Sequence, residues 1–230
     1  MAPILSIVLP AYNEEELIVK TLKDITSGLS KFEIGAEILV CENGSTDKTY
    51  NLVSKVATKN NLIRLFHQEE PSYGKALKFG IEKARAEKVI IFNVDFYDLD
   101  FVQKASELLN KFDFVIGSKN LSESKDLRPI VRRLITKFFN FFLKIVFQFE
   151  GTDTHGLKAF QKSKVEKILK ECQTKGEIFD TELVLRAQKQ GLKFTEIPVT
   201  VSEIRPSRYS LISRIPKTFS DIVSLAKALN

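Results

Sequence analysis

Two residue types that commonly build metal and redox centres are scarce in this 230-residue sequence, which has only two cysteines and two histidines. Cys41 and Cys172 lack the short spacing of a zinc site, and two cysteines cannot form a disulfide-rich scaffold. Cys41 ends an apolar segment, so we expect a buried, unreactive thiol and a reducing compartment. Cysteine-rich metal centres and disulfide-stapled secreted modules are therefore excluded.

Long apolar runs are also missing, because no segment reaches the roughly 18 uninterrupted apolar residues of a membrane-spanning helix. The segment Ile4–Leu9 already resembles a core strand, so no signal peptide is expected. Tryptophan is absent, whereas phenylalanine is abundant between residues 138 and 149. If this protein meets a membrane, we expect it to lie peripherally on the cytoplasmic face.

The charge balance is basic, since 35 lysines and arginines stand against 29 acidic residues and give a formal net charge of +6. This surplus favours anionic partners, namely phosphorylated substrates, an acidic membrane surface or nucleic acid. Nucleic acid is disfavoured, because the basic residues gather beside an apolar segment instead of alternating with exposed aromatics.

Strand-like and helix-like segments alternate in the first half of the chain. The predicted strands are Ile4–Leu9, Glu37–Cys41, Leu62–Phe66, Lys88–Asn93 and Phe114–Gly117, and the predicted helices are Glu14–Leu29, Asp47–Lys59, Gly74–Ala86 and Phe101–Lys111. This order predicts an α/β fold with a Rossmann-like, doubly wound, mainly parallel sheet and flanking helices. The loops after the first, second and fourth strands should then meet at one sheet edge.

The second half is less regular, and no linker divides the chain. Its predicted elements are a polar loop at 118–129, one or two helices at 130–148, helices at 163–172 and 180–190, a strand at 194–201 and a helix at 211–229. We expect one domain at 1–210 and a C-terminal helix at 211–230.

Three polar segments at the predicted edge carry candidate chemistry. The turn Pro10–Glu15 suits a nucleotide base, but it equally fits a plain helix start capped by Asn13. In the turn Glu42–Asp47 the first carboxylate can accept hydrogen bonds from a ribose, although a capped turn without a ligand is the alternative. The strand Lys88–Asn93 leads to Asp95, which stands where such a sheet holds a metal ion or a ribose.

These three segments, in this order, resemble the family 2 glycosyltransferases, and within them the dolichol-phosphate mannosyltransferase and polyprenyl-phosphate glycosyltransferase branch. The resemblance extends to about Ser210 and implies a GT-A fold, a GDP- or UDP-sugar donor and Mg²⁺ or Mn²⁺. It also implies donor contacts from Pro10, Ala11, Tyr12, Glu14 and Glu42.

The resemblance places Asn93 and Asp95 at the family's Asp-x-Asp position, where they would bind the metal and the donor. Asn93 replaces a carboxylate by a neutral amide, and Tyr97 replaces the glutamine that is usual in this branch. Metal binding should therefore be weaker or depend more on Asp95. Asp98 and Asp100 lie beyond the strand end and are predicted to cap the next helix.

Two cations are candidates for the donor diphosphate. Gly74 opens a helix, which would leave amides near its positive end for phosphate, and Lys75 would add charge. Arg205 matches the family's arginine after the late strand, so it would clamp the diphosphate and stabilise the charge that leaves with it. Asp95 and Arg205 are therefore the predicted catalytic residues.

By the same resemblance, Lys119, Arg132 and Thr136 would bind the acceptor phosphate, although a solvated basic helix start is the alternative. Lysine at 119 loses the bidentate fork of the arginine that is common there. The residues that follow, 138–149, alternate apolar residues with a narrow polar stripe formed by Lys137, Asn140, Lys144 and Gln148. This pattern favours an amphipathic, membrane-facing helix at 130–149, and a buried core helix is the alternative.

The sequence thus predicts an inverting enzyme that moves a sugar, mannose or glucose, from a nucleotide donor to dolichyl or polyprenyl phosphate. His155 could contact a phosphate or the sugar. A phosphate acceptor needs no base, whereas a soluble or protein hydroxyl acceptor would use Asp180 or Glu182. A non-catalytic partner that binds a nucleotide sugar is the third possibility, and a membrane subunit could accompany any of them.

Overall fold

The computed structural model describes residues 3–202 and 211–229, and the predicted diphosphate clamp Arg205 lies outside them. The strands are β1 (Leu5–Ala11), β2 (Ala36–Asn43), β3 (Ile63–Gln68), β4 (Lys88–Ile91), β5 (Phe114–Ser118), β6 (Lys125–Asp126), β7 (Leu157–Gln161), β8 (Phe194–Pro198) and β9 (Thr200–Val201). The helices are α1 (Ile18–Lys31), α2 (Thr49–Ala57), α3 (Tyr73–Lys83), α4 (Leu99–Leu108), α5 (Ile130–Phe147), α6 (Lys162–Glu171), α7 (Phe179–Lys189) and α8 (Leu211–Leu229).

A seven-stranded sheet in the order β3-β2-β1-β4-β7-β5-β8 forms the centre of the fold. The strands pair in parallel except for β7, which runs antiparallel to β4 on one side and to β5 on the other. The short strands β6 and β9 form a separate parallel pair. The predicted doubly wound, mainly parallel α/β architecture is therefore confirmed.

Two apolar layers cover the faces of the sheet. Helices α1, α2 and α4 contribute one layer, and helices α3, α5, α6, α7 and α8 contribute the other. Strand β1 contributes side chains to both layers and is buried over its whole length, which matches its continuous apolar sequence. Cys41 is fully buried as predicted, and burial raises the pKa of its thiol to about 12.

The chain leaves β1 toward β2 and β3, and then returns to place β4 on the other side of β1. The carboxyl ends of β1, β2 and β4 therefore meet at one edge, with a crevice where the strand order reverses. The predicted convergence of the loops after these strands at one edge is confirmed.

The structure corrects several predicted elements of the second half. Strand β7 was not predicted, because it is short and carries a buried lysine, Lys158, inside an apolar sheet. The predicted strand 194–201 is divided into β8 and β9 at Val199. The region 130–147 is a single helix, and the polar loop at 118–129 contains the short strand β6.

Candidate active site

The loops after β1 and β2 are tied to each other by hydrogen bonds. The Asn43 side-chain amide donates to the Ala11 carbonyl (3.1 Å), and the Asn13 backbone N–H donates to the Ser45 hydroxyl (2.9 Å). The Asn13 side chain accepts from the Thr46 backbone N–H (2.8 Å). Asn13 therefore joins the two loops and does not cap α1, which starts only at Ile18 and has no side-chain cap.

Glu42 lies fully buried under the second loop. One carboxylate oxygen accepts from the Ser45 backbone N–H (2.5 Å), and the other contacts His67 Nδ1. The ring of Tyr50 packs edge-on against His67, with 5.3 Å between ring centroids. Gly44 has φ of +74°, and a Cβ there would lie 2.5 Å from the Glu69 carbonyl oxygen, so this turn requires glycine.

The other predicted donor residues line the same edge. Pro10 and Ala11 end β1, Tyr12 is half-buried, and Glu14 is buried with its backbone N–H bonded to Thr49 Oγ1 (2.7 Å). Glu42 and His67 lie at the same end of the neighbouring strands β2 and β3. Their contact with a donor stays a prediction.

The backbone amides at the start of α3 were predicted to be left for a phosphate, but the structure shows them bonded within the protein. The Gly74 backbone N–H donates to the Lys175 carbonyl (2.9 Å), and the Lys75 backbone N–H donates to the Ser72 hydroxyl (3.3 Å). The exposed Lys75 ammonium pairs with Glu70 (3.0 Å). Both amides are already used within the protein, so of these three groups the Lys75 side chain alone remains a candidate for the diphosphate.

The predicted metal ligands follow β4 in a tight turn, in which Asn93 and Phe96 exchange backbone hydrogen bonds of 3.0 and 3.1 Å. Asn93 and Asp95 are half-buried at the crevice edge. Tyr97 points away from them and donates to Asp24 on α1 (2.7 Å). Burial and this hydrogen bond raise the pKa of the Tyr97 phenol to about 12.

The two later carboxylates behave as helix-start residues. Asp98 is the N-cap of α4, and its side chain accepts from the Phe101 backbone N–H (3.1 Å). Asp100 lies exposed in the first turn of the same helix. The predicted capping role is confirmed for Asp98. Asp100 is not the N-cap, and its negative charge lies near the positive end of the helix dipole.

Asp95 and Asn93 offer two oxygen ligands, and Mg²⁺ is commonly held by one or two protein oxygens together with substrate phosphates. Within residues 3–202 and 211–229, no group of three or more histidines, cysteines and acidic residues is placed to hold a metal ion. The residues present therefore fit an ion that a donor diphosphate helps to bind, and they do not form a complete protein cage.

A buried polar cluster joins this turn to α7. The Tyr73 hydroxyl lies 3.2 Å from Asn93 Oδ1 and 2.9 Å from Asp180 Oδ2. The Lys158 ammonium lies 3.3 Å from the same Asp180 oxygen and donates to the Gly156 carbonyl (2.8 Å). Burial, followed by the charge of Asp180, raises the pKa of the Tyr73 phenol well above its ordinary value. Tyr73 and Lys158 were not predicted as site residues, because only the tertiary fold brings them to Asn93.

Glu182, the other candidate base, is fully buried and saturated with donors. It accepts from the backbone N–H groups of Gln173 and Thr174, the Thr174 hydroxyl and the Arg186 guanidinium at 2.6–3.1 Å. Burial favours the protonated carboxyl, but these donors hold the pKa of Glu182 below its ordinary value. Glu182 therefore stabilises the loop before α7 and cannot act as a base.

Lys119, the predicted acceptor contact, is buried and paired within the protein, and its role in acceptor binding stays a prediction. Its ammonium pairs with the fully buried Asp153 (2.8 Å) and donates to the His155 carbonyl (2.7 Å). Burial lowers the pKa of Lys119, and although burial opposes it, the lysine holds the pKa of Asp153 below its ordinary value. Lys119 therefore ties the loop before β7 to the end of β5.

We predict that Lys119→Met destabilises the protein by about 3–5 kcal/mol, because Asp153 is left as a buried, unpaired charge. Equilibrium denaturation measures the loss, and Lys125→Met on exposed β6 serves as the matched control with little effect. Unchanged stability together with a raised KM for an acceptor phosphate would instead support the acceptor role of Lys119.

The start of α5 presents a different set of cations from the predicted one. The Thr136 hydroxyl donates to the Arg132 carbonyl one turn earlier in α5 (2.9 Å), so its proton is used within the helix. Arg133 and Lys137, four residues apart on the exposed side, line a cavity of about 190 Å³ together with Ser122 and Ser124. Arg132 and Thr136 are not among its lining residues, so the structure favours Arg133 and Lys137 for an anion at this place.

The predicted polar stripe of α5 is wrong at its centre. Asn140 is buried, donates to the Thr136 carbonyl (2.9 Å) and accepts from the Thr154 backbone N–H (3.3 Å). Large apolar side chains occupy the opposite, exposed side instead. They are Leu127, Ile130, Val131, Leu134, Ile135, Phe138, Phe141, Ile145 and Val146, here called the α5 apolar face. In the described part of the chain, no helix is long and apolar enough to cross a membrane.

His155 lies between this helix and the buried cluster. Its ring packs edge-on against Phe139 (5.5 Å between centroids), and its Nδ1 lies 3.2 Å from the Thr154 hydroxyl. Burial lowers the pKa of His155, so the ring is neutral at pH 7. The predicted contact of His155 with a phosphate or sugar stays a prediction.

Comparison with known proteins identifies relatives of this chain. AglD, a glycosyltransferase of Haloferax volcanii, is 27% identical over 201 residues, which are 84% of this chain and 32% of AglD. The dolichyl-phosphate beta-glucosyltransferase ALG5C of Trichomonas vaginalis is 28% identical over 235 residues, 95% of this chain and 69% of that protein. The chain thus spans about a third of AglD but most of ALG5C.

Solved structures show the same fold. Glucosyl-3-phosphoglycerate synthase of Mycobacterium tuberculosis, crystallised with UDP, superposes with a TM-score of 0.69 at 17% identity, over 98% of this chain and 80% of that chain. Another structure of that enzyme contains Mn²⁺, UDP and phosphoglyceric acid. The expected GT-A fold is therefore confirmed. The sequence profile "Glycosyl transferase family 2" matches residues 6–169, which is more than half of the chain, so this protein belongs to glycosyl transferase family 2.

Proposed function

We propose that this protein transfers a hexose from a nucleotide-diphosphate sugar to a polyprenyl or dolichyl phosphate at a membrane surface. The observation that carries the proposal is the α5 apolar face, which leaves nine large apolar side chains of one helix and its leading loop exposed beside a cationic cavity. A lipid with a phosphate head and an apolar tail matches both features.

The cavity supports the position of the acceptor phosphate. Arg133 and Lys137 supply two cations, whereas the hydroxyls of Ser122 and Ser124 already donate to Glu123 (2.8 Å) and to the Ser118 carbonyl (2.6 Å). Lys119 also lines this cavity, and its ammonium lies 5.2 Å from the ring centre of Phe96, the residue after Asp95. The acceptor cavity is thus adjacent to the turn that would hold the donor diphosphate.

The donor would lie along the edge formed by β1, β2 and β4. Tyr12, Glu14 and Glu42 are the proposed nucleoside contacts, and Lys75 and Arg205 are the proposed diphosphate contacts. Asp95 and Asn93 would hold Mg²⁺ or Mn²⁺, which supplies positive charge against the departing diphosphate. The UDP in the structural neighbours and the names of the glucosyltransferase relatives favour UDP-glucose over GDP-mannose.

The reaction would be a single displacement. An oxygen of the acceptor phosphate forms a bond to the anomeric carbon while the bond from that carbon to the nucleotide diphosphate breaks, so the configuration inverts. A phosphomonoester with a second pKa of about 6 already carries an anionic oxygen at neutral pH, so no protein base is needed. This agrees with the saturated hydrogen bonding of Glu182.

The attachment to the membrane would be peripheral and on the cytoplasmic face. Aromatic and branched apolar side chains next to lysines and arginines suit the boundary between head groups and acyl chains. A membrane subunit could cover part of the α5 apolar face, in which case the lipid would reach the cavity between the two proteins.

A donor and acceptor screen tests the proposal. Purified protein is incubated with UDP- or GDP-sugars, Mn²⁺ or Mg²⁺ and one acceptor, and release of the nucleoside diphosphate is measured. We expect release with a polyprenyl phosphate in vesicles and none with phosphoglycerate or with vesicles alone. Release with a soluble acceptor only would support a hydroxyl-transferring enzyme, and no release with any pair would support a non-catalytic partner.

A further inference from the structure

The cluster of Asn93, Tyr73 and Asp180 contains an imbalance of hydrogen-bond donors. The Tyr73 hydroxyl lies between two oxygens, Asn93 Oδ1 at 3.2 Å and Asp180 Oδ2 at 2.9 Å. A phenol carries one proton and can therefore donate to only one of them. Two oxygens facing the same hydroxyl would leave the second contact without a proton.

The shorter contact identifies where the proton goes. Asp180 is a carboxylate, which is a stronger acceptor than an amide oxygen, so Tyr73 donates to Asp180. A 180° flip of the Asn93 side-chain amide exchanges Oδ1 and Nδ2, so that Nδ2–H donates to the Tyr73 oxygen. The amide oxygen of Asn93 then faces away from Tyr73 and is available at the crevice edge.

An aspartate at position 93 would not fit this arrangement. Two carboxylates would then face one phenol, and neither could donate to its oxygen. The buried Lys158 already faces Asp180 at 3.3 Å and uses a further hydrogen on the Gly156 carbonyl. Because the single proton of Tyr73 is donated to Asp180, a carboxylate at position 93 would gain no hydrogen bond from that hydroxyl.

We propose that Asn93, Tyr73 and Asp180 form one positioning unit that accommodates a single carboxylate. The carboxylate at position 180 then requires a neutral amide at position 93. The neutral amide in the Asp-x-Asp position is then a consequence of the carboxylate on α7, and not a loss of function. Asp180 Oδ1 is buried and has no hydrogen-bond partner among the described residues, which leaves it able to accept from a sugar hydroxyl. This second part rests on the proposed function.

A set of four proteins tests the matching: wild type, Asn93→Asp, Asp180→Asn and the double variant that exchanges the two residues. Thermal unfolding is measured in chelator, without metal or donor, so the result does not depend on the proposed function. We expect Asn93→Asp to lower Tm by about 5–10 °C in the wild-type background and by less than about 3 °C in the Asp180→Asn background, where Lys158 has already lost its partner. Additive losses in the exchange variant, or no loss with Asn93→Asp, would overturn the proposal.

Two further measurements separate the unit from a general loss of packing. In a Tyr73→Phe background the shared hydroxyl is gone, so we expect the difference between the effects of Asn93→Asp with and without Asp180→Asn to fall by at least half. A difference that is equally large in the Tyr73→Phe background would contradict a unit built on the hydroxyl. For the sugar contact, Asp180→Asn should weaken binding of a UDP-hexose about tenfold and leave UDP unchanged. Equal weakening of both would overturn this second part.

Discussion

Asp95→Asn is expected to lower kcat/KM for sugar transfer by more than about a hundredfold, because it removes the one carboxylate of the turn after β4. Asn93 on the same turn already offers only an amide oxygen, so the variant would have no anionic ligand there. Transfer is measured with nucleotide sugar and lipid phosphate at saturating Mn²⁺. The half-buried side chain keeps nearly the same shape, so Tm should stay within about 3 °C of wild type.

The matched control is Asp100→Asn, an exposed carboxylate in the first turn of α4. It carries the same chemical change, but we expect transfer within about twofold of wild type and a stability loss below about 1 kcal/mol. If Asp95→Asn retained transfer within about threefold of this control, Asp95 would not be the metal and donor ligand.

Replacement of three residues on the α5 apolar face is expected to abolish membrane binding. Phe138, Phe141 and Ile145 are 72%, 60% and 66% exposed, so their loss should cost the fold little. Inserting each into an apolar environment contributes about 1 kcal/mol or more, so the triple serine variant should bind vesicles about a hundredfold more weakly. Vesicle sedimentation measures the partition coefficient, with and without anionic lipid.

A control variant changes three exposed apolar residues elsewhere, Ile4, Val19 and Val223, to serine. It removes a comparable number of exposed apolar groups, but they do not share one surface, so we expect its vesicle binding to equal that of wild type. Equal binding by the α5 triple variant and this control would show that the α5 apolar face does not meet the lipid.

The sequence was sufficient to place the loops after β1, β2 and β4 at one edge, because its information is local. Apolar strands end in turns with glycine and carboxylates, and the order of the strands places those turns together. The capping role of Asp98 followed from its position just before an apolar helix. What the sequence could not provide was the use of the backbone amide of Gly74, because its partner, Lys175, lies far away along the chain and only the tertiary fold brings the two together.

The loop after β5 and the strand β7 were harder to predict, because their charges are paired across distant segments. Lys119 looks like a surface cation until Asp153 is placed beside it, and Lys158 makes β7 look unlike a central strand. On α5 the helical period correctly predicted an amphipathic helix. The predicted polar stripe was wrong at Asn140, which is buried. Its amide donates to a carbonyl of its own helix and accepts from the backbone N–H of Thr154.

The most direct test of the central claim follows the sugar itself. Purified protein is given a nucleotide sugar labelled in the sugar, Mn²⁺ and vesicles that contain either a polyprenyl phosphate or the unphosphorylated polyprenol. We predict that label moves into the organic phase with the phosphate only, and that Asp95→Asn prevents this. Label that stays in the aqueous phase with every donor, or that enters the organic phase equally with the free alcohol, would contradict transfer to a lipid phosphate.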